Sequence, residues 1–204
     1  MLRLAAAIAL VLPTLAVAQA LTPEEIAAMV DQRMKDFNPY QELLNNPDPA
    51  RSLEAMRIMI DSGDEDLERM ALEYGLLSPN ATTKRAAFES LLERKPIFSV
   101  RFDGSGVDDT DFAWNMRNRY SGTLDTTSVG YWRLPVGDFN EQAQCFVDAH
   151  DTDDCMITVN ADGIFLTPDR MNARAQISDA GMLMGEASLA GVETAVPFSI
   201  RLLD

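Results

Sequence analysis

The segment from Gln144 to Val159, QCFVDAHDTDDCMITV, gathers both cysteines of the chain, its one histidine and four aspartates. Three chemistries use such groups. Cys145, His150 and Cys155 with a neighbouring aspartate would supply a tetrahedral zinc set, although no Cys-x-x-Cys pair is present to begin one. Asp148, Asp151, Asp153 and Asp154 would suit calcium, a hard cation that takes about six to eight oxygens. The third is a Cys145–Cys155 disulfide, the default for two cysteines in an oxidising compartment. Oxidation removes the thiolates that zinc needs, so the disulfide is the leading expectation. His150 lies in the polar loop among these carboxylates.

A second acidic stretch, RFDGSGVDDTDF, places Asp103, Asp108, Asp109 and Asp111 close together as another possible calcium loop. Neither stretch has the Asp-x-Asp-x-Asp-Gly spacing with a glutamate at the twelfth position. Both also read as solvated loops of a very acidic protein. Trp114, Tyr120, Tyr131 and Trp132 form an aromatic series that can pack a core or offer flat ligand platforms. Trp114, Tyr131 and Trp132 are the platform candidates, and the adjacent Tyr131 and Trp132 must point to opposite faces if they lie on a strand. There is no Gly-x-Ser-x-Gly elbow, His-Glu-x-x-His, phosphate loop or Ser-x-x-Lys, so no catalytic residue is assigned. Carboxylate pairs for hydrolysis stay open, because their separation is a property of the fold.

The elements that must position these groups start after a leader. MLRLAAAIALVLPTLAVAQA has a basic residue, an apolar run and small residues at Ala16, Ala18 and Ala20, the order of a secretory signal peptide cleaved after Ala20. No later segment is long and apolar enough to be a transmembrane helix, so no membrane insertion is expected after leader removal. The whole chain carries a net charge of −15; without Arg3, 16 basic residues face 32 acidic ones, a net of −16. Such a field repels phosphate backbones and argues against nucleic acid as a partner.

Composition changes near Pro96. Before it, apolar residues recur at helical spacing. LTPEE opens a helix with a capping box from Thr22 and Glu25, places Ile26, Met29, Val30, Met34 and Phe37 on one face, and is expected to close at Asn38-Pro39. A second helix opens at Asp48-Pro49, a third near Asp64 ending at Gly75, and a fourth near Ser78-Pro79. Asn80-Ala81-Thr82 also fits a glycosylation sequon, though the Ala-rich helices and short leader suit a bacterial periplasmic protein better. After Pro96 the period becomes two. Strands are expected over 97–102, 112–116, 127–134, 144–148, 156–159, 164–167, 173–177, 182–189 and 196–202, separated by turn-rich pieces.

The stretch DPARSLEAMRIMIDSGDEDLERMALEYGLLSPNATTKRAAFESLL, residues 48–92, resembles a pair of HEAT-type helical repeats, and that resemblance implies a protein-interaction scaffold. The expected organisation is therefore α+β: a signal peptide over 1–20, an antiparallel HEAT-like helical bundle over 21–96, and an antiparallel β-sandwich or barrel over 97–204. The leading functional expectation is a secreted or periplasmic, non-enzymatic binding or adaptor protein with a protein partner. The alternatives are a calcium-assisted carbohydrate-binding module taking a glycan, and a carboxylate-dependent hydrolase. Apart from that calcium, no cofactor is expected.

Overall fold

The computed structural model describes residues 21–107 and 110–203. The leader over 1–20 and the candidate ligands Asp108 and Asp109 lie outside the described residues. Among the described residues, no helix is long and apolar enough to cross a membrane.

Helix α1 spans Pro23–Leu44. Its capping box forms as expected: the Glu25 N–H donates to Thr22 Oγ1 at 3.2 Å and the Thr22 N–H donates to Glu25 Oε2 at 2.8 Å. The expected stop at Asn38-Pro39 is overturned, because Pro39 lies inside the helix. A proline withdraws its own N–H and crowds the carbonyl four residues back, yet this helix continues to Leu44. Leu44 is buried and its carbonyl accepts the Ser52 hydroxyl at 2.5 Å, which also meets the Tyr74 hydroxyl at 2.7 Å. The chain divides into two compact units between Pro39 and Tyr40. On the first unit the apolar face Ile26, Met29, Val30 and Met34 is exposed.

In the second unit, α2 (Pro49–Ile60), α3 (Glu65–Leu76) and α4 (Ala81–Glu93) follow in short succession. Each starts on a side-chain cap: Asp48 accepts from Ala50, Asp64 from Asp66 and Leu67, and Asn80 from Thr82 and Thr83. The fourth helix is capped by the sequon asparagine, directly after Ser78-Pro79 as expected. Helix α3 ends one residue beyond the expected stop at Gly75. Gly75 itself lies within α3, where a Cβ would come within 2.3 Å of Ala87 Cβ and 2.6 Å of Met56 Sδ, so it sets the closest approach of three helices. Gly75→Ala should cost about 1–3 kcal/mol by overpacking, read as a lower Tm in a thermal melt; an unchanged Tm would show that the helices spread freely.

The sheet is antiparallel throughout. Its strands are β1 (Ile97–Asp103), β2 (Thr123–Leu124), β3 (Val129–Asn140), β4 (Cys145–Asp148), β5 (Cys155–Asn160), β6 (Gly163–Leu166), β7 (Met171–Ile177), β8 (Met182–Leu189) and β9 (Val196–Arg201). From β3 to β9 each strand pairs with the next, while β1 pairs with both β9 and β3. Eight strands therefore close on themselves, with β2 as a short addition to β3. Closure gives each of the eight barrel strands a neighbour on both sides. Of the two architectures expected, the barrel is the one formed. Alternation places Phe98, Val100 and Phe102 of β1 and Trp132 and Leu134 of β3 inward, while Ile97, Tyr131 and Arg133 face out. The buried residues of α2–α4 and of the barrel form one continuous apolar core. Lys84 of α4 reaches the Ser178 carbonyl at 3.4 Å and Asp179 at 3.2 Å, and Lys95 pairs with Asp138 at 2.6 Å.

The strand expected over Phe112–Met116 is a helix instead. Short helix α5 (Thr110–Trp114) runs into a π-helical turn, Asn115–Arg119. Its apolar residues repeat every four positions: Phe112, Met116 and Tyr120 are all buried. A Cβ on Gly130 of β3 would meet Met116 Sδ at 2.6 Å and the Phe112 ring at 3.5 Å. This segment fills the space inside β3, in keeping with an eight-stranded barrel whose interior is only wide enough for side chains or one small ligand.

Candidate functional site

At the rim of the barrel, the turn after α5, the strands β1 and β3, the loop after β4 and the Pro168–Arg170 turn surround a cleft of about 410 Å³. Tyr120 and Trp132 form its aromatic part, Ile97 and Pro135 its aliphatic part, and Arg119, Arg133, Asp148, His150 and Asp169 its polar part.

Arg119 and Tyr120 are placed by the π turn. The Tyr120 N–H donates to the Asn115 carbonyl at 3.0 Å, five residues back. The Asn115 side chain is buried and fully used: its Nδ2 donates to the Asp111 and Ala190 carbonyls at 2.8 and 2.9 Å, and its Oδ1 accepts from Arg119 Nε at 2.9 Å. Arg119 Nη1 pairs with Asp169 at 3.3 Å, and its guanidinium lies 5.4 Å from the Trp114 ring centroid. The arginine is thus held on three sides.

Tyr120 is 4% exposed and packs between rings, 4.6 Å from Trp132 and 6.2 Å from Phe102 between centroids. Its hydroxyl is buried and finds no hydrogen-bond partner among the described residues. A buried hydroxyl left unpaired costs about 1–3 kcal/mol, so the group stands out in a protein whose other buried side-chain polar atoms are satisfied among the described residues. Burial, helped by the charge of Asp169 and opposed by that of Arg119, pushes its pKa from 10.0 up to about 12. The stability this proton confers is fully present below pH 10 and is lost as pH rises through about 12. Alkaline unfolding in this window should shift to higher pH in Tyr120→Phe; superimposable pH curves would place the alkaline transition elsewhere.

The loop after β4 brings the residues that looked most reactive in the sequence. Cys145 and Cys155 are joined in a disulfide across the base of the loop, with Cα atoms 5.8 Å apart, and Cys145 is buried. No thiolate remains for zinc. Within the loop, Asp148 Oδ1 accepts the His150 N–H at 2.6 Å, Asp151 Oδ1 accepts the Asp153 N–H at 3.1 Å, and the Asp148 N–H donates to the Asp154 carbonyl at 3.0 Å. These are side-chain turns that aspartate forms by itself. The Ala149 N–H donates to the Pro135 carbonyl at 3.2 Å, which ties the loop to the cleft wall. Burial, together with the charges of Asp151, Asp148 and Asp169, raises the pKa of Asp154, only partly offset by the Asp169 backbone N–H. The local potential is therefore negative. Asp169 and Arg170 hold left-handed backbone, φ 38° and 61°, which costs energy in residues other than glycine.

Of the sequence candidates, Asp148, His150 and Trp132 meet at this cleft. Asp151 and Asp153 are exposed in the loop beside it. Asp103 lies in a separate turn, where hydrogen bonds from Ser105, with a smaller contribution from Arg101, hold its carboxyl below the usual range. Asp111 lies near Gly191 on a second cleft of about 420 Å³, on the far side of Arg119. Among the described residues, no three His, Cys, Asp or Glu side chains are arranged to hold one metal ion. The three platform candidates do not share a surface: Trp132 is buried, Tyr131 points outward from the barrel, and Trp114 lines the second cleft beneath Arg119. Arg119, Asp169 and the positioning role of Asn115 were not foreseen.

The fold and the cleft together define an eight-stranded up-and-down barrel with a polar and aromatic pocket at its rim. Comparison with protein-family models, with curated proteins and with solved structures finds no match.

Proposed function

We propose that the protein is an exported, non-enzymatic binding protein whose ligand enters the rim cleft. The observation that carries this reading is the buried, unpartnered hydroxyl of Tyr120 at a cleft that also presents an indole, a guanidinium and carboxylates. Strained backbone at Asp169 and Arg170, on the same rim, supports it. The two carboxylates on the cleft are held as acceptors, Asp148 by the His150 N–H and Asp169 by Arg119, which suits recognition better than proton donation. An adaptor role through the HEAT-like helices has less support, since their apolar stripes, including Met56, Leu72, Phe88 and Leu92, are used in the shared core.

Export rests on the leader reading and on the disulfide. Native mass spectrometry of the protein isolated gently from producing cells should show a bound small molecule at one per chain, and N-terminal sequencing should begin at Leu21. A ligand-free mass in every preparation, with no small molecule able to shift it, would refute the binding reading.

A further inference from the structure

The chemistry of the cleft narrows what it can hold. Its charges are of both signs: Arg119 is bonded to Asp169 and Asn115 and packed on Trp114, Asp148 accepts the His150 N–H, and Arg133 adds a second cation. An anionic ligand would meet Asp148 and Asp169 in a chain of net charge −15, and a cationic one would meet Arg119 and Arg133. A ligand of either sign therefore meets like charge on part of the wall. Beside these charges is the Tyr120 hydroxyl, buried and without a partner among the described residues. Because its phenol stays protonated up to about pH 12, it is both donor and acceptor at all ordinary pH values.

The rest of the wall fits the same description. The carboxylates of Asp148 and Asp169 each engage one oxygen in the protein and keep acceptor capacity for ligand hydroxyls. Ile97, Pro135 and Trp132 supply apolar surface for the C–H face of a ring. The volume, about 410 Å³, falls within the usual range of about 300–1,000 Å³ for small-molecule sites.

We propose that the rim cleft binds a neutral, polyhydroxylated ring, a mono- or oligosaccharide, with one ligand hydroxyl bonded to the buried hydroxyl of Tyr120. This rests on the binding reading given above and specifies its ligand class without any metal ion.

The test is calorimetric titration of the full exported chain with a panel of neutral saccharides, and with acidic, basic and apolar small molecules of similar size, all in the presence of a chelator. The expected result is saturable binding of a neutral saccharide, weakened about tenfold or more in Tyr120→Phe, since a site built around a hydroxyl loses most when one partner is removed. The same variant should melt at the same or a higher temperature, because it deletes a buried group that lacks a protein partner. Asp148→Asn keeps the acceptor for the His150 N–H and should weaken the saccharide several-fold, a second reading that does not depend on the aromatic core. Saccharide binding that is unchanged in Tyr120→Phe would overturn the proposal. So would binding only of charged or apolar compounds, in which case the binding function stands and the ligand class falls. Failure of every class to bind would overturn both.

Discussion

Phe102→Ala is expected to cost about 3–5 kcal/mol, lowering Tm by about 10 °C or more. Phe102 is wholly buried on the inner face of β1, tilted against Phe198 at 6.3 Å and stacked on Tyr120 at 6.2 Å with 11° between the planes. In a closed barrel the surrounding strands are bonded on both sides and cannot collapse into the space a ring leaves, so the cavity persists. The effect should reach the cleft. With Phe102 gone, one face of Tyr120 loses its support, and the hydroxyl proposed to meet the ligand is no longer held at one position. Chemical denaturation measures the first effect and ligand titration the second. A loss of stability below about 1 kcal/mol would mean that the barrel interior is not the close-packed layer described here.

The second large effect is expected from the disulfide. Replacing Cys145 and Cys155 together by alanine should remove about 2.5–3 kcal/mol, the chain-entropy value for a loop of this length, and lower Tm by about 5–10 °C. The bond closes the loop that carries Asp148, His150 and Asp154, and the Asp148 N–H to Asp154 carbonyl bond at 3.0 Å is the remaining clasp. The double variant should therefore also bind more weakly, by loosening one wall of the cleft. Denaturation of native and reduced protein, with intact masses differing by two hydrogens, provides the check. Equal stability of the two forms would show that hydrogen bonds alone fix the loop.

Much of this architecture could be read from local residue patterns. Eight strand candidates, from Ile97–Phe102 to Val196–Leu202, coincide with strands of the barrel, because period-two burial is a property of each strand by itself. The caps at Thr22 and Asp48 were legible for the same reason: they act within a few residues. The misreadings have physical causes as well. Phe112–Met116 is too short to separate a period of two from one of four, and the decisive repeat extends to Tyr120. Gly75 marked the end of its helix to within one residue, but its packing role was hidden, because Ala87 and Met56, which require a glycine there, come from other helices. Pro39 reads as a stop, yet the end of that helix is set by a hydroxyl eight residues beyond it, on Ser52.

The candidate site divides along the same line. Asp148, His150 and the disulfide stood out because they crowd one short segment. Arg119, Tyr120 and Asp169 did not, because only barrel closure brings the turn after α5 against the turn before β7. Of the aspartates that suggested calcium, Asp103, Asp148 and Asp151 accept neighbouring backbone N–H groups, and a turn of this kind has the same composition as a cation loop.

The central claim is that the rim cleft is the ligand site. Amide chemical-shift mapping of the labelled protein, titrated with the saccharide panel and its charged and apolar counterparts, tests it most directly. The expected result is saturable shifts clustered at Arg119 and Tyr120, Trp132 and Arg133, Asp148 to His150, and Asp169, four stretches distant in sequence that meet at this cleft. Shifts confined to the exposed face of α1 or to the outer barrel surface, or none with any compound, would contradict it.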